Sequence, residues 1–239
     1  MITATPVPLL KDNYAWLLRD DSGFTAIVDP AEPGPVAAAI DAAGGTLDLI
    51  LLTHHHGDHV AGTDEIRARY SAPVVGAKAD AHRLPKLDRE VWEGSEIDLG
   101  NAVARVYETP GHTRGHISFY IADGGVLLCG DTLFSLGCGR LLEGTPQEMF
   151  KSLMRFAALP GDTLVCCGHE YTESNAAFAR HADPENLDLL AYAERVTELR
   201  AMGLPTIPSR LSDELECNPF LRAGDVASLA DLRARKDRF

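Results

Sequence analysis

The sequence has few of the features that mark membrane, exported or disulfide-bonded proteins. No apolar stretch is long enough to span a bilayer, and the first twenty residues carry Lys11, Asp12 and Arg19 instead of the hydrophobic region of an export signal. The five cysteines are odd in number, scattered and without CxxC spacing, as is usual for reduced intracellular thiols. We therefore expect a cytoplasmic protein that does not act on a membrane.

Positive charge is also scarce. The chain has 22 lysines and arginines against 35 aspartates and glutamates, which gives a formal net charge of -13. This balance argues against nucleic acid as a partner. It also means that an anionic substrate would need a local basic patch.

The nucleophile motifs of common hydrolases are missing as well. The sequence contains no GxSxG, and Cys166 and Cys167 stand in an apolar segment where a thiol is inert. We therefore expect no serine or cysteine nucleophile.

What the chain does have is an alternation of strand and helix patterns. At 239 residues it suits one sizeable domain, or a larger domain with an appendage. The order of the patterns indicates an α/β layer architecture. Strands are predicted over residues 2–7, 14–19, 24–29, 49–52, 73–76, 103–108, 117–121, 126–129 and 163–167. Helices are predicted over 36–43 and 63–70, and a third begins at Thr145 with a capping box and Pro146.

Beyond Thr172 the pattern becomes helical and no strand pattern returns. Apolar residues recur at helical spacing, namely Tyr192, Val196, Leu199 and Met202. A final helix is predicted over residues 225–239, and its inward apolar residues are Val226, Leu229 and Leu232. On it Arg233 and Lys236 share a face, for which a solvated basic helix end is the first interpretation.

The most informative stretch follows the predicted strand 49–52 and reads T-H-H-H-G-D-H over residues 53–59. His54 and His56 lie two apart, so both rings point to one side of an extended backbone, and Gly57 permits a turn that returns Asp58 and His59 towards them. Neutral imidazoles suit zinc and similar ions, and a carboxylate offers an oxygen to a second ion. Four of the nine histidines fall in this stretch, which argues against a chance polar loop.

Three more polar side chains follow predicted strands in the same way. His112 lies in a Pro-Gly turn after strand 103–108, Asp131 follows strand 126–129, and His169 follows strand 163–167. His116 is the alternative to His112. Asp29 is either an acceptor for a metal-bound imidazole or a simple turn aspartate.

Together these positions make a set of seven candidate ligands, which are His54, His56, Asp58, His59, His112, Asp131 and His169. One zinc ion takes at most four ligands, so the set suffices for two ions. A carboxylate-bridged pair about 3.5–4 Å apart would hold a hydroxide and polarise a carbonyl under attack. We expect hydrolysis of an activated acyl group with two divalent cations as cofactors, zinc first, with iron or manganese as alternatives.

Several short motifs resemble known families. T-H-H-H-G-D-H (53–59), G-H-T (111–113), G-D-T (130–132) and G-H-E-Y (168–171) are similar to the metal-binding motifs of the metallo-β-lactamase superfamily. More specific are G-C-G-R-L-L-E-G-T (137–145), N-P-F-L-R (218–222) and R-A-R-K-D-R-F (233–239), which resemble the glyoxalase II, or hydroxyacylglutathione hydrolase, family. The resemblance covers essentially the whole chain.

The resemblance implies a four-layer αββα metallo-β-lactamase sandwich in residues 1–170, followed by a mostly helical glutathione-binding region in residues 171–239. By family analogy, His54, His56 and His112 bind one ion and Asp58, His59 and His169 bind the other. Asp131 would bridge the ions. Asp58 and Asp131 would thus belong to the catalytic machinery, with a metal-bridging hydroxide as nucleophile.

The implied reaction is hydrolysis of S-D-lactoylglutathione to D-lactate and glutathione, in methylglyoxal detoxification, by a monomer. In the family, residues matching Arg140, Arg233 and Lys236 hold the glycine carboxylate of glutathione, and Tyr171 lines the same pocket. From the residues alone, Arg140 is either a solvated charge or a substrate contact. Leu142 departs from the family pattern, which has an aromatic residue there. A mononuclear iron persulfide dioxygenase of the same fold is the alternative function, and a protein that keeps its metals for structure is another.

Overall fold

All 239 residues are described by a computed structural model, in which the chain forms two compact units. Unit 1 comprises Met1–Glu108 and Gly115–Gly130, and unit 2 comprises Thr109–Arg114 and Asp131–Phe239. None of the helices has the length and apolarity that crossing a bilayer requires.

Unit 1 contains a six-stranded sheet whose strands follow one another in chain order. They are β1 (Thr3–Leu9), β2 (Asn13–Arg19), β3 (Thr25–Val28), β4 (Leu49–Leu51), β5 (Val74–Ala77) and β6 (Arg89–Val91). The first three strands pair antiparallel, and the pairs from β3 to β6 are parallel. Parallel neighbours need crossover connections, which here include α1 (Pro33–Ala42), α2 (Gly57–Val60) and α3 (Thr63–Tyr70).

The core on one side of this sheet is apolar. Val36, Ala37 and Ile40 of α1 and Ile66 of α3 pack with sheet residues such as Ile50. Strand β4 is buried along its whole length, as its continuous apolar run predicts. The segment that follows β4 therefore begins at the carboxyl end of a buried interior strand.

A second set of strands in unit 1 forms an antiparallel meander. Its members are β7 (Glu96–Leu99), β8 (Ala102–Glu108), β9 (Ile117–Ile121) and β10 (Val126–Gly130). Buried and exposed residues alternate along β7 and β8, whereas β10 is buried throughout.

Unit 2 is mostly helical. Its elements are the hairpin β11 (Leu133–Phe134) and β12 (Gly137–Cys138), α4 (Pro146–Ala157), β13 (Leu164–Cys167), α5 (Thr172–Ala182), α6 (Leu187–Ala201), β14 (Ser209–Arg210), α7 (Leu211–Cys217) and α8 (Val226–Lys236). Helices α5 and α6 pack on each other, with Ala176, Ala179, Leu189 and Val196 in a shared core. The capping box expected at Thr145 is present, because Thr145 and Glu148 exchange hydrogen bonds at the start of α4.

Most of the expected elements are present, with ends that differ by at most three residues. The sequence patterns missed β6, β7, the hairpin and β14. Strands β6 and β7 lie at sheet edges and keep exposed charged residues, and the others are two residues long, so none gives an apolar run. Met202, the last of the four apolar residues named at helical spacing, lies just beyond α6, which ends at Ala201, and its side chain is 64% exposed.

Candidate metal centre and ligand cavity

The first histidine cluster lies where β4 ends, as expected. His54 and His59 are almost completely buried, at 0% and 1% exposure. His54 Nε2 lies 3.1 Å from His56 Nδ1, so these two rings present nitrogens to the same place. His116, the alternative to His112, packs its ring on His54 with centroids 4.9 Å apart.

Asp29 orients this cluster. It lies just after β3 in a left-handed conformation (φ 53°) and is 4% exposed. Its carboxylate accepts hydrogen bonds from the Thr53 N–H (2.8 Å), Thr53 Oγ1 (2.6 Å) and His59 Nδ1 (2.9 Å). Thr53 Oγ1 lies 3.0 Å from His54 Nδ1. Of the two interpretations left open for Asp29, the structure supports the acceptor that orients an imidazole.

Asp58 sits in the short helix α2, beside His59. Its Oδ2 lies 4.0 Å from His59 Nε2. Asn13, at the start of β2, donates through Nδ2 to the Asp58 carbonyl (3.0 Å) and to Asp58 Oδ2 (3.1 Å). No sequence pattern indicated Asn13, because it is far from the histidine motif along the chain.

Unit 2 brings together His112, Asp131 and His169. His112 Nε2 lies 3.6 Å and His169 Nε2 lies 3.4 Å from the same carboxylate oxygen, Asp131 Oδ2. All three residues are buried. His112 Nδ1 donates to the Arg140 carbonyl (2.9 Å), which fixes the ring. Two imidazoles that converge on one carboxylate oxygen are arranged as ligands of a cation.

Segment 137–144 needs its glycines because its backbone packs directly on the backbone of the loop that carries His112. Gly144 N–H donates to the Gly111 carbonyl at 3.2 Å, and a Cβ on Gly144 would lie 2.6 Å from that oxygen. A Cβ on Gly139 would strike the Asp131 carbonyl. The two loops can therefore pack this closely only with glycine at those positions.

A cavity of about 400 Å³ opens beside these ligands in unit 2. It is lined by His112, Asp131, Phe134, Cys138, Arg140, Tyr171, Ser174, Asn175, Arg233 and Lys236. All four residues named above as substrate contacts are thus on its wall. The Tyr171 ring stacks on His169, with centroids 4.5 Å apart and planes at 8°.

The three cations of this cavity differ in their surroundings. Arg140 is largely exposed and lies 3.8 Å from Asp237. Arg233 is only 4% exposed, and it donates to the Cys138 carbonyl (2.7 Å) and to Asp237 Oδ1 (2.9 Å). The expectation of a solvated basic helix end was therefore wrong for Arg233. Its position four residues after the buried Leu229 could have indicated this, because both lie on one face of α8.

Burial governs the protonation of the groups around Arg233. It lowers the pKa of Lys236 to about 8, and the nearby Arg233 charge adds to the shift. It raises the pKa of the Cys138 thiol to about 11, against the effect of Arg233. Cys138 is therefore a neutral thiol at physiological pH and adds no negative charge to the cavity.

The donors present suit a divalent metal. Asp29, His54 and His59 offer ligand atoms within 4.8 Å of one another, although Asp29 already orients the two histidines. His59 and His112 each have Nδ1 bound to a protein oxygen, which is how proteins orient metal-binding imidazoles. Imidazole nitrogens and carboxylate oxygens without any thiolate fit zinc, iron or manganese.

Comparison with known families agrees with this chemistry. The model of the metallo-beta-lactamase superfamily matches residues 10–169, and that of the hydroxyacylglutathione hydrolase C-terminus matches residues 170–239. Among solved structures, ETHE1 from Myxococcus xanthus superposes with a TM-score of 0.72 at 22% identity, over 98% of this chain and 90% of that one. The chain thus has the α/β metallo-β-lactamase fold with a C-terminal helical region, as expected.

Two relatives are more similar in sequence. A hydroxyacylglutathione hydrolase from Acidiphilium cryptum is 54% identical, over 99% of this chain and 97% of that protein. The solved structure of TTHA1623 in a di-iron-bound form is 31% identical, over 69% of this chain and 91% of that one, with a TM-score of 0.61. The chain therefore belongs to the hydroxyacylglutathione hydrolase family of the metallo-β-lactamase superfamily.

Proposed function

We propose that the protein is a metal-dependent thioester hydrolase that cleaves S-D-lactoylglutathione to D-lactate and glutathione. One observation carries the proposal: a single cavity in unit 2 is lined both by two of the candidate ligands, His112 and Asp131, and by three cationic side chains. A hydrolytic centre beside a cationic pocket suits a substrate with a thioester at one end and a carboxylate at the other. Membership of the hydroxyacylglutathione hydrolase family supports the same substrate.

We propose a dinuclear centre with the ligands that the family motifs imply. His54, His56 and His112 would hold one ion, Asp58, His59 and His169 the other, and Asp131 would bridge them. The di-iron form of TTHA1623 supports two ions, and the ligand chemistry admits zinc, iron or manganese. Divalent ions supply Lewis acidity for the attack of water on a thioester carbonyl.

The protein's own residues would bind and orient the substrate. Arg140, Arg233 and Lys236 offer positive charge to the glycine carboxylate of glutathione, and Tyr171 presents a flat ring beside His169. Asp29 and the Arg140 carbonyl hold the histidines that they contact in fixed orientations. The leaving group is a thiolate, and because the pKa of a thiol is only about 8.5, it leaves readily near neutral pH without a side chain that acts as a general acid.

An assay of S-D-lactoylglutathione by loss of its thioester absorbance, with the metal content of the same sample, tests the proposal. We expect metal-dependent turnover, about two divalent ions per chain, and no oxygen uptake on glutathione persulfide. A fully metal-loaded sample that leaves the thioester intact would contradict the proposed function. Oxygen uptake with one bound iron would instead indicate a persulfide dioxygenase.

We further propose that the chain divides into a metal-binding domain, residues 1–170, and a helical glutathione-binding region, residues 171–239. The two family models meet between residues 169 and 170, which supports this division. None of the five buried cysteines is part of a disulfide, which supports a cytoplasmic location. A sedimentation mass near 25.8 kDa would support the monomer that we expect.

A further inference from the structure

The cavity of unit 2 contains a contact that the proposed substrate roles do not use. Lys236, near the end of α8, donates a hydrogen bond from Nζ to Asn175 Oδ1 on α5. Asn175 is only 2% exposed and lines the cavity together with Lys236. A buried amide that accepts a hydrogen bond from an ammonium can fix the position of that ammonium and favour its charged form.

Asn175 is itself held in one orientation. Its Nδ2 donates to the Ser135 carbonyl at 2.9 Å, so its Oδ1 is turned towards Lys236. Gly137 backs the amide closely, because a Cβ there would lie 2.6 Å from Asn175 Nδ2. Any side chain at position 137 would displace Asn175, which gives a physical reason for this glycine in the motif.

The ammonium has a second contact on the same helix. The ring of Phe178, three residues after Asn175 on α5, lies 5.3 Å from Lys236 Nζ. Residues three apart share a helix face, so the amide oxygen and the aromatic ring both contact the ammonium from the same side. An ammonium has three hydrogens, and Asn175 accepts a hydrogen bond from one of them.

The charge of Lys236 depends on its neighbours. Burial, Arg233 and Arg140 lower its pKa, while Asp237 raises it, with a result of about 8. A group with that pKa loses charge as the pH rises above neutrality. A hydrogen bond from the ammonium to an amide oxygen favours the charged form.

We propose that Asn175 is a positioning residue for substrate binding: it holds the Lys236 ammonium and thereby sets the affinity of the cavity for the carboxylate of an anionic thioester. This inference rests on the proposed function and deepens it. The Asn175 amide contacts Lys236 Nζ and the Ser135 carbonyl, so its proposed effect on the substrate carboxylate is exerted through Lys236.

Steady-state kinetics of Asn175→Leu, with Asn175→Asp as the second variant, test the proposal. With S-D-lactoylglutathione we expect Asn175→Leu to raise KM about 5- to 10-fold with little change in kcat, the effect of losing one hydrogen bond. With S-D-lactoyl-N-acetylcysteamine, which has no carboxylate, it should act like the wild type. In a Lys236→Ala background the same change should alter KM by less than about twofold.

A lysine-labelled NMR titration of Lys236, assigned with Lys236→Arg, gives a readout that does not need catalysis. Asn175→Leu should lower the pKa of Lys236 because the acceptor is lost, and Asn175→Asp should raise it because a carboxylate replaces the amide. Asn175→Asp should still raise KM, since its charge competes with the substrate carboxylate. Glu173→Gln, at an exposed position of α5, is the control and should change neither quantity.

Two results would overturn the positioning role. One is an unchanged KM and an unchanged Lys236 pKa in Asn175→Leu. The other is a loss of kcat by the same factor with both substrates, which would indicate a merely structural residue. If the metal-loaded wild type cleaves no thioester, the proposed function fails, while the titration still decides whether Asn175 controls Lys236.

Discussion

Asp29 shows how one residue outside the metal-binding motif can determine the orientation of the motif. Its carboxylate binds Thr53 through both the backbone and the hydroxyl, and it binds His59 Nδ1. Thr53 in turn lies beside His54 Nδ1. Two of the histidines of the first cluster therefore depend on a single buried carboxylate.

Asp29→Asn tests this dependence. Asparagine tolerates the left-handed backbone at this position, so the fold should be kept, but its neutral amide orients His59 less strongly. We expect a loss of metal affinity of about 10- to 100-fold, measured by competition with a chromogenic chelator. Asp64→Asn, at an exposed position of α3, is the matched control and should bind metal like the wild type.

Arg233 has a structural role besides its proposed contact to substrate. It is buried, it satisfies the Cys138 carbonyl, and its guanidinium lies 5.3 Å from the Phe220 ring. We expect Arg233→Ala to raise KM more than it lowers kcat, because the substrate carboxylate is remote from the reacting carbon. It should also cost about 1–3 kcal/mol of unfolding free energy, since the Cys138 carbonyl loses its partner.

Urea unfolding and steady-state kinetics on the same Arg233→Ala sample separate the two roles. Arg235→Ala is the matched control, because Arg235 lies on the same helix and pairs only with Asp231, at 3.7 Å. It should leave KM and stability close to the wild type. An unchanged KM in Arg233→Ala would show that the assigned carboxylate pocket is wrong.

The candidate ligands could be predicted because each follows a strand end, where a ligand has a fixed position. The residues that orient these ligands could not be predicted from the sequence. Asn13 reaches Asp58 across 45 residues of chain, and Asn175 reaches Lys236 across 61. Nothing in the local pattern around Asn13 or Asn175 distinguishes it from any other asparagine, because its role depends on tertiary contacts.

The hairpin β11–β12 forms part of the cavity wall through Phe134 and Cys138. Side chains from a later part of the chain hold the turn of this hairpin in place. Asn218 Nδ2 donates to the Phe134 carbonyl (3.1 Å) and the Gly137 carbonyl (3.0 Å). Leu136, in a left-handed conformation, donates its N–H to Glu214 Oε2 (2.8 Å). This explains the N-P-F-L-R motif: its asparagine fixes a hairpin that lines the cavity.

Asn218→Ala should destabilise the protein by about 2–4 kcal/mol, because it leaves two buried carbonyls without their donor. Asn218→Asp should be almost as damaging, since aspartate keeps the bond accepted from Phe220 N–H but cannot donate. Urea denaturation of both variants measures the effect. If Asn218→Asp were as stable as the wild type, the donor bonds to the hairpin would not matter.

The elements differ in how far the sequence predicted them. Helix α4 was predicted from its capping box, and β4, β9 and β10 from their apolar runs, because these signals are local. The hairpin was not predicted, since its two-residue strands depend on Asn218 and Glu214, about eighty residues further along the chain. Elements that carry their own signal were found, and those stabilised by distant residues were not.

The overall charge of the protein and the local charge of the cavity have opposite effects on an anionic substrate. The net charge of -13 repels an anionic substrate at long range, but salt screens that repulsion beyond about 8 Å at physiological ionic strength. Within that distance the substrate meets Arg140, Arg233 and Lys236. The local cations, and not the overall charge, therefore decide whether the carboxylate binds.

Removal of the metal ions tests whether the proposed metal centre stabilises the folded protein. Ligands that bind the folded state stabilise it by RT ln(1 + [L]/Kd), about 4 kcal/mol when the free ion is at a thousand times its Kd. For a chain of this length that corresponds to about 8–16 °C in Tm. We expect a fall of that size on dialysis against a chelator, measured by calorimetry. Adding back zinc, iron or manganese singly should restore Tm, most fully for the native ion. An unchanged Tm in a sample shown to be metal-free would mean that the histidine and aspartate clusters fold without needing the ions, and that the proposed ligand set does not hold them tightly.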